Sequence, residues 1–482
     1  MGASTQALYY LLHPNQLRSI IQWKVWHEPV HRRDPGKETP TEASCFKLLN
    51  LTSRSFSAVI QELNPELLMP ITLFYLALRG LDTIEDDMTL DIDKKEPLLR
   101  DFHKNMEIDG WTFTESGPNE KDRELLVHFD DVIFELKRTK KEYYDIIKDI
   151  TAKMGNGMAD YARNGNINDY GVITIKDYEL YCHYVAGLVG EGLTRLFVQS
   201  NLVNPALTDR PLLTESMGQF LQKVNIIRDI REDFDEGKRW WPKEVWSKYV
   251  DNMEDLFKPE NQTKALYCGS EMVLDALKHA NDCLFYMAAV RDQSVFNFVA
   301  IPESMAIATL DAVFMNPDLF HKNVKITKGD ACQLMTESTQ NLRVVCEVFK
   351  RYARRIHQKA DPRDPNFLAI GIQCGKIEQF IESIFPTQDI KKLTAEEQAK
   401  ARAKEQEAAT DRVEALYLTL AVVIVLVSIG AVMVGLAWYL GARFDKIPED
   451  FELSKLFSTA TPGAVGAPAV GGTPPIGVHE EL

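Results

Sequence analysis

The stretch LLMPITLFYLALRGLDTIEDD, at residues 67–87, carries apolar residues at helical spacing and ends in a group of carboxylates. A second stretch, SMGQFLQKVNIIRDIREDFDE at residues 216–236, repeats this plan later in the chain. Apolar side chains that recur every three or four residues predict helices that bury one face. The same periodicity runs through residues 1 to about 390, without a row of alternating strands. The sequence therefore predicts an all-α domain in which two apolar helices end in acidic residues.

The composition narrows the class of protein. The chain has 482 residues, with 55 Lys and Arg against 70 Asp and Glu, so its formal net charge is −15. This acidity argues against a nucleic-acid-binding protein, which would present a basic face. Apolar residues make up 45% of the chain, which is enough for a large core. The seven cysteines are an odd number without a CxxC pair, which is typical of a reducing compartment.

The first acidic group contains Asp82, Glu85 and Asp86, at positions i, i+3 and i+4 of the predicted helix. Residues at this spacing share one face, so their carboxylates converge and repel one another. Hard oxygen ligands of this kind suit magnesium. A solvated helix face is the structural alternative for this group taken alone.

The second acidic group contains Asn225, Asp229 and Asp233, spaced four residues apart and predicted to share one face of a helix. An amphipathic helix with internal ion pairs is the structural alternative. Two facing acidic helices can hold several magnesium ions against a pyrophosphate, and nearby arginines can stabilise the departing charge. The pair of helices therefore favours the ionisation of an allylic diphosphate.

The segment YCHYVAGLVGEGL, at residues 181–193, places three glycines in a helical window. Each glycine destabilises a helix by about 1 kcal/mol relative to alanine, so a structural or functional role is expected for these three. One interpretation is close packing of a neighbouring helix. The other is a helix hollowed to admit a long isoprenoid chain, with Tyr181 and Tyr184 presenting hydroxyls to the cavity. His183 is interpreted as a core histidine rather than a catalyst.

The C-terminal region predicts a membrane anchor. Residues 415–440 carry no charge and are long enough to cross a bilayer as one helix. A buried core helix is the alternative, but the length, the lack of charge and the position after the last globular segment favour a span. The predicted organisation is an all-α domain at 1–393, a polar helical stalk at 394–414, the transmembrane helix at 415–440 and a disordered, Pro/Gly-rich tail at 441–482. The flanking basic residues place the large N-terminal part in the cytosol.

Four motifs carry a resemblance to a known family: DTIED at 82–86, YCHYVAGLVGEGL at 181–193, QKVNIIRDIREDFDEGKRWWPKEVW at 222–246 and IPESMAIATL at 301–310. In this order they resemble the squalene synthases, and most of all the fungal members. The resemblance implies an all-α isoprenoid-synthase bundle with a central cavity, plus one C-terminal transmembrane helix. It also implies that two farnesyl diphosphates condense head to head to presqualene diphosphate, which NADPH-dependent rearrangement converts to squalene. This is the first committed step of sterol (ergosterol-type) biosynthesis.

The resemblance implies a role for each matching residue. The magnesium ligands it implies are Asp82, Glu85, Asp86, Asp229 and Asp233. The catalytic residues it implies are Tyr181, Tyr75, Arg79 and Arg228. The substrate-binding residues it implies are Ser53, Arg54, Ser55, Phe56, Val189, Leu193, Gln222, Asn225 and Pro302. The residues it implies for NADPH are Arg54, Arg79, Asn225, Arg228, Lys325 and Thr327.

The chemistry of Tyr181 and of Thr327 limits the roles that the resemblance implies for them. A free tyrosine has a pKa of about 10, so Tyr181 is expected to relay a proton whose final acceptor is the released diphosphate. Thr327 stands where some family members have a second basic residue, and Lys328 follows it.

The resemblance further implies a monomeric catalytic domain that faces the cytosol. A single-pass C-terminal helix would anchor this domain in the lipid of the endoplasmic reticulum membrane.

Two other functions stay open on the sequence. A phytoene-synthase-like condensation would use the same acidic motifs with two longer C20 diphosphates and without NADPH. A non-catalytic, membrane-anchored helical scaffold is the alternative from another class. The complete motif at 181–193, the VKITKGD segment at 324–330 and the C-terminal span favour squalene formation, and the two acidic groups together with Tyr181 argue against a scaffold.

Overall fold

The computed structural model describes Tyr9, residues 13–165 and 171–386, and, near the C-terminus, residues 417, 424, 428, 430–436 and 439–440. Within these residues the chain is helical, and its only strand-like pairing is an isolated bridge between Val203 and Val290. The predicted all-α class is confirmed for this part of the chain. Residues 13–384 form one unit with its own core.

We number the α-helices of the described residues in chain order. They are α1 (Pro14–Trp26), α2 (Pro40–Thr52), α3 (Arg54–Ile60), α4 (Pro65–Asp86), α5 (Ile92–Asn105), α6 (Arg123–Val127), α7 (Phe129–Arg138), α8 (Lys141–Gly165), α9 (Ile175–Cys182), α10 (Leu188–Gln199), α11 (Pro211–Arg228), α12 (Ile230–Asp235), α13 (Lys243–Trp246), α14 (Gln262–Leu277), α15 (Ala280–Met287), α16 (Gln293–Val313), α17 (Lys328–Ser338), α18 (Leu342–Lys359) and α19 (Phe367–Ile384). A π-helical turn, His183–Gly187, joins α9 to α10. Short 3-10 turns cover Pro35–Lys37, Pro205–Asp209, Met253–Phe257, Pro259–Asn261 and Pro317–Phe320.

Helix α4 carries the first acidic group out of the core. The Asn64 side chain caps its start by accepting the backbone N–H of Glu66 at 3.1 Å, and proline occupies its first position. Leu67, Leu73 and Leu81 along the helix are fully buried. The helix runs from this buried face to its acidic end, so the core fixes where the carboxylates emerge.

Helices α4 and α16 are both long and apolar enough to cross a membrane, but 72% and 83% of their most apolar windows are buried inside the domain. They are therefore core helices of the unit that carries the acidic groups. The membrane helix predicted at 415–440 lies largely outside the described residues. Among the positions of this segment that the structure does describe, 430–436 are helical. The predicted stalk at 394–414 and tail at 441–482 lie outside them entirely.

The second acidic stretch departs from the single helix that its spacing predicts. Asp229 separates α11 from α12, with φ −95° and ψ 9°. The indole of Trp241 donates to the carbonyl of Ile226 at 3.1 Å, and a continuous helix would offer that carbonyl to the N–H four residues later. The N–H of Asp229 still donates to Asn225, and that of Asp233 to Asp229, both at 2.9 Å. The acidic residues therefore remain one turn apart although the helix is interrupted.

Candidate active site

The first acidic group lies at the C-terminal end of α4. Asp82 approaches the guanidinium of Arg79 at 3.7 Å. Burial raises the pKa of Glu85 to about 8, and the neighbouring carboxylates of Asp86 and Asp82 add to the rise. The backbone carbonyl of Glu85 accepts the ammonium of Lys95 at 2.7 Å. The carboxylates of this group therefore repel one another, which favours the protonated form of Glu85.

The second acidic group surrounds the junction of α11 and α12. Arg228 donates twice to the Asp229 carboxylate, from Nε at 2.8 Å and from a terminal nitrogen at 2.6 Å. Asn323 donates to Asp229 at 2.7 Å and to Glu232 at 2.6 Å. Burial raises the pKa of Asp233 to about 7, and the carboxylate of Asp229 adds to the rise. One carboxylate is thus held by donors, while the pKa of the other, half-buried carboxyl is raised.

Lys238 connects the two acidic groups, and the sequence interpretation did not single it out. Its Nζ lies 3.0 Å from Oδ1 of Asp86 and 3.2 Å from a carboxylate oxygen of Glu236. Its charge also lowers the pKa of Glu85 and of Asp233, against the burial that raises both. A lysine directly after an acidic run is the signal that could have identified it.

Tyr181 lies near carboxylates of both acidic groups. Its side chain is buried, and its ring stacks on Trp240 with centroids 4.0 Å apart and planes 12° apart. Burial raises the pKa of the Tyr181 hydroxyl well above 10, followed in effect by the nearby Glu85 and Asp86. The hydroxyl therefore keeps its proton, which suits a donor or a relay and not a free base. Sequence reasoning missed Trp240.

Tyr75 and Arg79 lie one turn apart on α4. The Nε of Arg79 donates to the Tyr75 hydroxyl at 3.3 Å, and the guanidinium also lies 3.9 Å from Asp122. Burial by itself lowers the pKa of Arg79, but Asp82 and Tyr75 outweigh it and raise the pKa above its ordinary value. The arginine is therefore permanently charged beside the first acidic group.

The residues expected to form the flap begin α3. The hydroxyl of Ser53 caps this helix by accepting the N–H of Phe56 at 3.2 Å. The ring of Phe56 lies 6.5 Å from that of Tyr75, so the segment reaches the site. The side chains of Arg54 and Ser55 lie outside what the structure describes.

The residues expected to line the cavity sit on three core helices. Val189 and Leu193 on α10, Gln222 on α11 and Pro302 on α16 each keep part of their surface accessible. Neighbours such as Leu188 on α10 are buried. Asn225 is exposed near the end of α11. These side chains are accessible on helices whose other faces are packed, and their role in a cavity stays a prediction.

The glycines of residues 181–193 are explained by packing. A Cβ on Gly187 would lie 2.4 Å from the Glu215 carboxylate, one on Gly190 would lie 2.7 Å from the carbonyl of Thr214, and one on Gly192 would lie 2.4 Å from the ring of Phe74. Protein atoms fill the space that each missing side chain leaves. The interpretation of these glycines as a hollow for substrate is wrong, and close packing is right.

Lys325 and Thr327 lie in the extended segment before α17. The Thr327 hydroxyl donates to the Asp330 carboxylate at 2.7 Å and accepts the Asp330 N–H at 3.1 Å, so it caps the helix. Asn323 joins the start of this segment to Asp229. The segment is thereby tied to the second acidic group. Lys325 lies within it, and Lys328 is the first residue of α17.

Magnesium suits this set of donors. In the described residues, no three His, Cys, Asp or Glu side chains are already gathered closely enough to hold a metal ion by themselves. The carboxylates come instead from two helices, and burial, followed by neighbouring carboxylates, raises the pKa values of Glu85 and Asp233. Hard oxygen donors that repel one another fit a hard cation that keeps water or phosphate oxygens among its ligands.

An all-helical domain that brings the acidic ends of two core helices to one buried tyrosine defines the class of isoprenoid synthases. The chain belongs to the squalene/phytoene synthase family, whose model matches residues 49–330. It is 70% identical over 484 residues to the probable squalene synthase of Neurospora crassa, with 100% of both chains covered. It is 64% identical over 475 residues to the squalene synthase of Gibberella zeae, with 98% of this chain and 99% of that one covered.

The solved structures agree with this assignment. The complex of TcSQS with the ligand E5700 is similar with a TM-score of 0.68 and 39% identity, covering 71% of this chain and 99% of that one. The resemblance to fungal squalene synthases that the four motifs predicted is confirmed.

Proposed function

We propose that this chain joins two farnesyl diphosphates head to head to presqualene diphosphate, and then uses NADPH to rearrange and reduce that product to squalene. Relatives named squalene synthases at 64–70% identity support this reaction. The observation that carries it is that Tyr181 is buried and that Glu85 and Asp86 from one helix and Asp233 from another all help to raise the pKa of its hydroxyl. The product would enter sterol biosynthesis at its first committed step.

Magnesium would be held by Asp82, Glu85 and Asp86 on α4 and by Asp229 and Asp233 at the second acidic group. When bound, magnesium neutralises the diphosphate and stabilises its departure. Asp229 is already oriented, because two donors from Arg228 fix its carboxylate plane. The half-buried Glu85 and Asp233 would release the protons that their raised pKa values favour as the cations enter.

The basic and aromatic residues would bind and orient the substrates. Arg79 and Arg228 would contact diphosphate oxygens, with Tyr75 fixing the guanidinium of Arg79 through its hydroxyl. Loss of the diphosphate leaves an allylic cation, which the double bond of the second farnesyl chain attacks. Tyr181 would pass the proton released in this step to the departed diphosphate, because its own hydroxyl is too weakly acidic to remain ionised.

The farnesyl chains would lie along the partly accessible side chains of Val189, Leu193, Gln222 and Pro302. Ser53, Arg54, Ser55 and Phe56, at the start of α3, and Asn225 would contact the substrate at the mouth of this cavity. The lining would therefore come from four helices, α3, α10, α11 and α16.

NADPH would supply the hydride for the second half-reaction. Its binding residues would be Arg54, Arg79, Asn225, Arg228, Lys325 and Thr327. Because Thr327 caps α17 and contributes no charge, the phosphate of the cofactor would be met by Lys325, with Lys328 beside it.

The catalytic domain would act as a monomer on the cytosolic face of the endoplasmic reticulum, anchored by residues 415–440. Farnesyl diphosphate is soluble through its head group, whereas squalene is a hydrocarbon, so a domain held at a bilayer can release product into lipid. An enzyme truncated after residue 395 is expected to need detergent or lipid vesicles for full turnover. Full turnover of this variant without either would refute release into the bilayer.

The deciding experiment is product analysis with radiolabelled farnesyl diphosphate and magnesium, with and without NADPH. Squalene with NADPH, and presqualene diphosphate or its rearranged alcohols without it, are expected. Identical products in both samples would favour a condensation of the phytoene-synthase type, which can be checked with C20 diphosphate. No product from folded protein would favour a scaffold.

A further inference from the structure

The π-helical turn between α9 and α10 lies inside the motif at 181–193. It spans His183–Gly187 and is closed by the N–H of Leu188, which donates to the carbonyl of His183. Such i→i+5 turns are rare, and they occur frequently at functional sites. We therefore expect the turn to change which side chains share a face of the helix, and we expect a neighbouring contact to hold it.

The consequence is a change of helical register. In an uninterrupted α-helix, at about 100° per residue, Val189 and Leu193 would point about 80° and 120° away from Tyr181. A π turn takes in one residue more than an α turn, so these angles become about −20° and +20°. The turn thus places Tyr181, which lies beside the acidic groups, on the same face of the helix as Val189 and Leu193, the two side chains proposed to line the cavity.

The restraint comes from Glu215 on α11, which contacts both ends of the turn. Its Oε2 lies 2.9 Å from Nδ1 of His183, the first residue of the turn. At the last residue, the absent side chain of Gly187 leaves the space that the Glu215 carboxylate fills. Gln219, one turn further along α11, donates to Oε1 of Glu215 at 2.8 Å. The carboxylate is therefore itself held in place.

The charges around this contact support the pairing. The hydrogen bond with Glu215 raises the pKa of His183, with Glu191 adding to the rise and Lys153 opposing it. Burial alone would raise the pKa of Glu215, but the hydrogen bonds from His183 and Gln219 lower it. The contact thus favours a protonated His183 facing an ionised Glu215.

We propose that Glu215 is a positioning residue that holds the π turn, so that Tyr181 and the cavity side chains Val189 and Leu193 face one substrate. Glu215 does not touch the reacting atoms and acts through His183 and Gly187. This inference rests on the proposed function for its activity readout. Its structural readout is independent of that function.

The test compares full-length Glu215→Ala and Glu215→Gln with the unmodified enzyme in detergent. In Glu215→Ala, hydrogen–deuterium exchange of the amides at 183–190 is expected to accelerate. The kcat for squalene is expected to fall about tenfold with KM for farnesyl diphosphate within twofold, because a small misplacement weakens catalysis more than binding. More presqualene diphosphate should escape. Glu215→Gln keeps one acceptor oxygen and should recover most of both properties.

Glu347→Ala, which removes an exposed glutamate from α18, is the matched control and should change neither readout. His183→Phe should reproduce Glu215→Ala, and the double variant should be no worse than either single variant, as expected of one shared contact. Exchange or product ratio identical to the unmodified enzyme in Glu215→Ala would overturn the proposal. If the unmodified enzyme makes no squalene, the proposed function fails, while the exchange comparison still decides whether Glu215 holds the turn.

Discussion

Lys238 Nζ lies 3.0 Å from Oδ1 of Asp86, so a residue that follows the second acidic helix is bonded to the end of the first. The two acidic groups are far apart in sequence, and this ion pair is a direct link between them. The ammonium stands beside carboxylates that are proposed to bind magnesium. Lys238 thus acts as a tethered cation that partly neutralises the site.

Replacing Lys238 by methionine is expected to destabilise the metal-free protein by about 1 kcal/mol at most, because the Asp86 side chain is more than half exposed. Magnesium with inorganic pyrophosphate should then raise the melting temperature of the variant more than that of the unmodified protein. Scanning fluorimetry measures both. An equal shift in the two proteins would show that Lys238 does not compensate for missing cations.

Removing one proposed metal ligand should abolish turnover without unfolding the domain. Asp82→Asn and Asp229→Asn each keep the size of the side chain while relieving repulsion between carboxylates. Squalene formation is expected to fall about a hundredfold or more in both variants. The free energy of unfolding should change by less than about 1 kcal/mol for Asp82→Asn, whereas Asp229→Asn also loses the ion pair with Arg228 and should cost about 1.5–3 kcal/mol. Asp93→Asn, at an exposed acid on α5, is the control. A large loss of stability with residual activity would favour a structural role for the acidic groups.

Magnesium binding should strengthen as the pH rises. The pKa of Glu85 is raised to about 8 and that of Asp233 to about 7, so the folded protein binds protons that the unfolded chain releases. The free energy of unfolding of the metal-free protein should therefore fall as the pH rises from about 4 to 8. The increase in melting temperature caused by magnesium and pyrophosphate should be larger at about pH 8 than at about pH 6. Equal increases would contradict the prediction.

The sequence predicted those parts of the site that depend on local periodicity. Asp82, Glu85 and Asp86 follow a run of apolar residues at helical spacing, and the core that this run builds fixes their position. The same reasoning gave Asp229 and Asp233, although the helix is interrupted between them. Local spacing could anticipate these groups because helical geometry relates residues three or four apart.

Other features depend on contacts between distant segments, and the pattern could not supply them. The stacking of Trp240 on Tyr181 and the bond from Asn323 to Asp229 each join residues from different helices or loops. The π turn at His183–Gly187 is invisible to an analysis based on 3.6 residues per turn. The space beside the glycines that seemed to open the helix is filled by neighbours such as Glu215. Only the tertiary structure shows this.

Asn323 should couple the second acidic group to the segment that carries Lys325. Asn323→Asp would place a third carboxylate against Asp229 and Glu232, and the repulsion should displace the segment. We expect at least about a tenfold rise in KM for NADPH, since a lost hydrogen bond to a charged group costs about 1.5–3 kcal/mol. Lys322→Ala, at an exposed neighbour, is the control. An unchanged KM for NADPH with Asn323→Asp would show that the segment does not bind the cofactor.

The stacking of Trp240 on Tyr181 should affect the rate of the first half-reaction. Because the rings lie 4.0 Å apart and nearly parallel, the indole limits the tilt of the tyrosine whose hydroxyl is proposed to relay a proton. Trp240→Ala should lower kcat for presqualene diphosphate about tenfold with little change in KM for farnesyl diphosphate, and cost about 1 kcal/mol of stability from the lost ring contact. Trp240→Phe, which keeps an aromatic face, should recover most of the rate.

Trp23→Ala removes a comparable stack with His27, at 3.8 Å on a helix without the acidic residues, and should leave kcat unchanged. Equal rates for Trp240→Ala and the unmodified enzyme would mean that the orientation of Tyr181 does not limit the reaction.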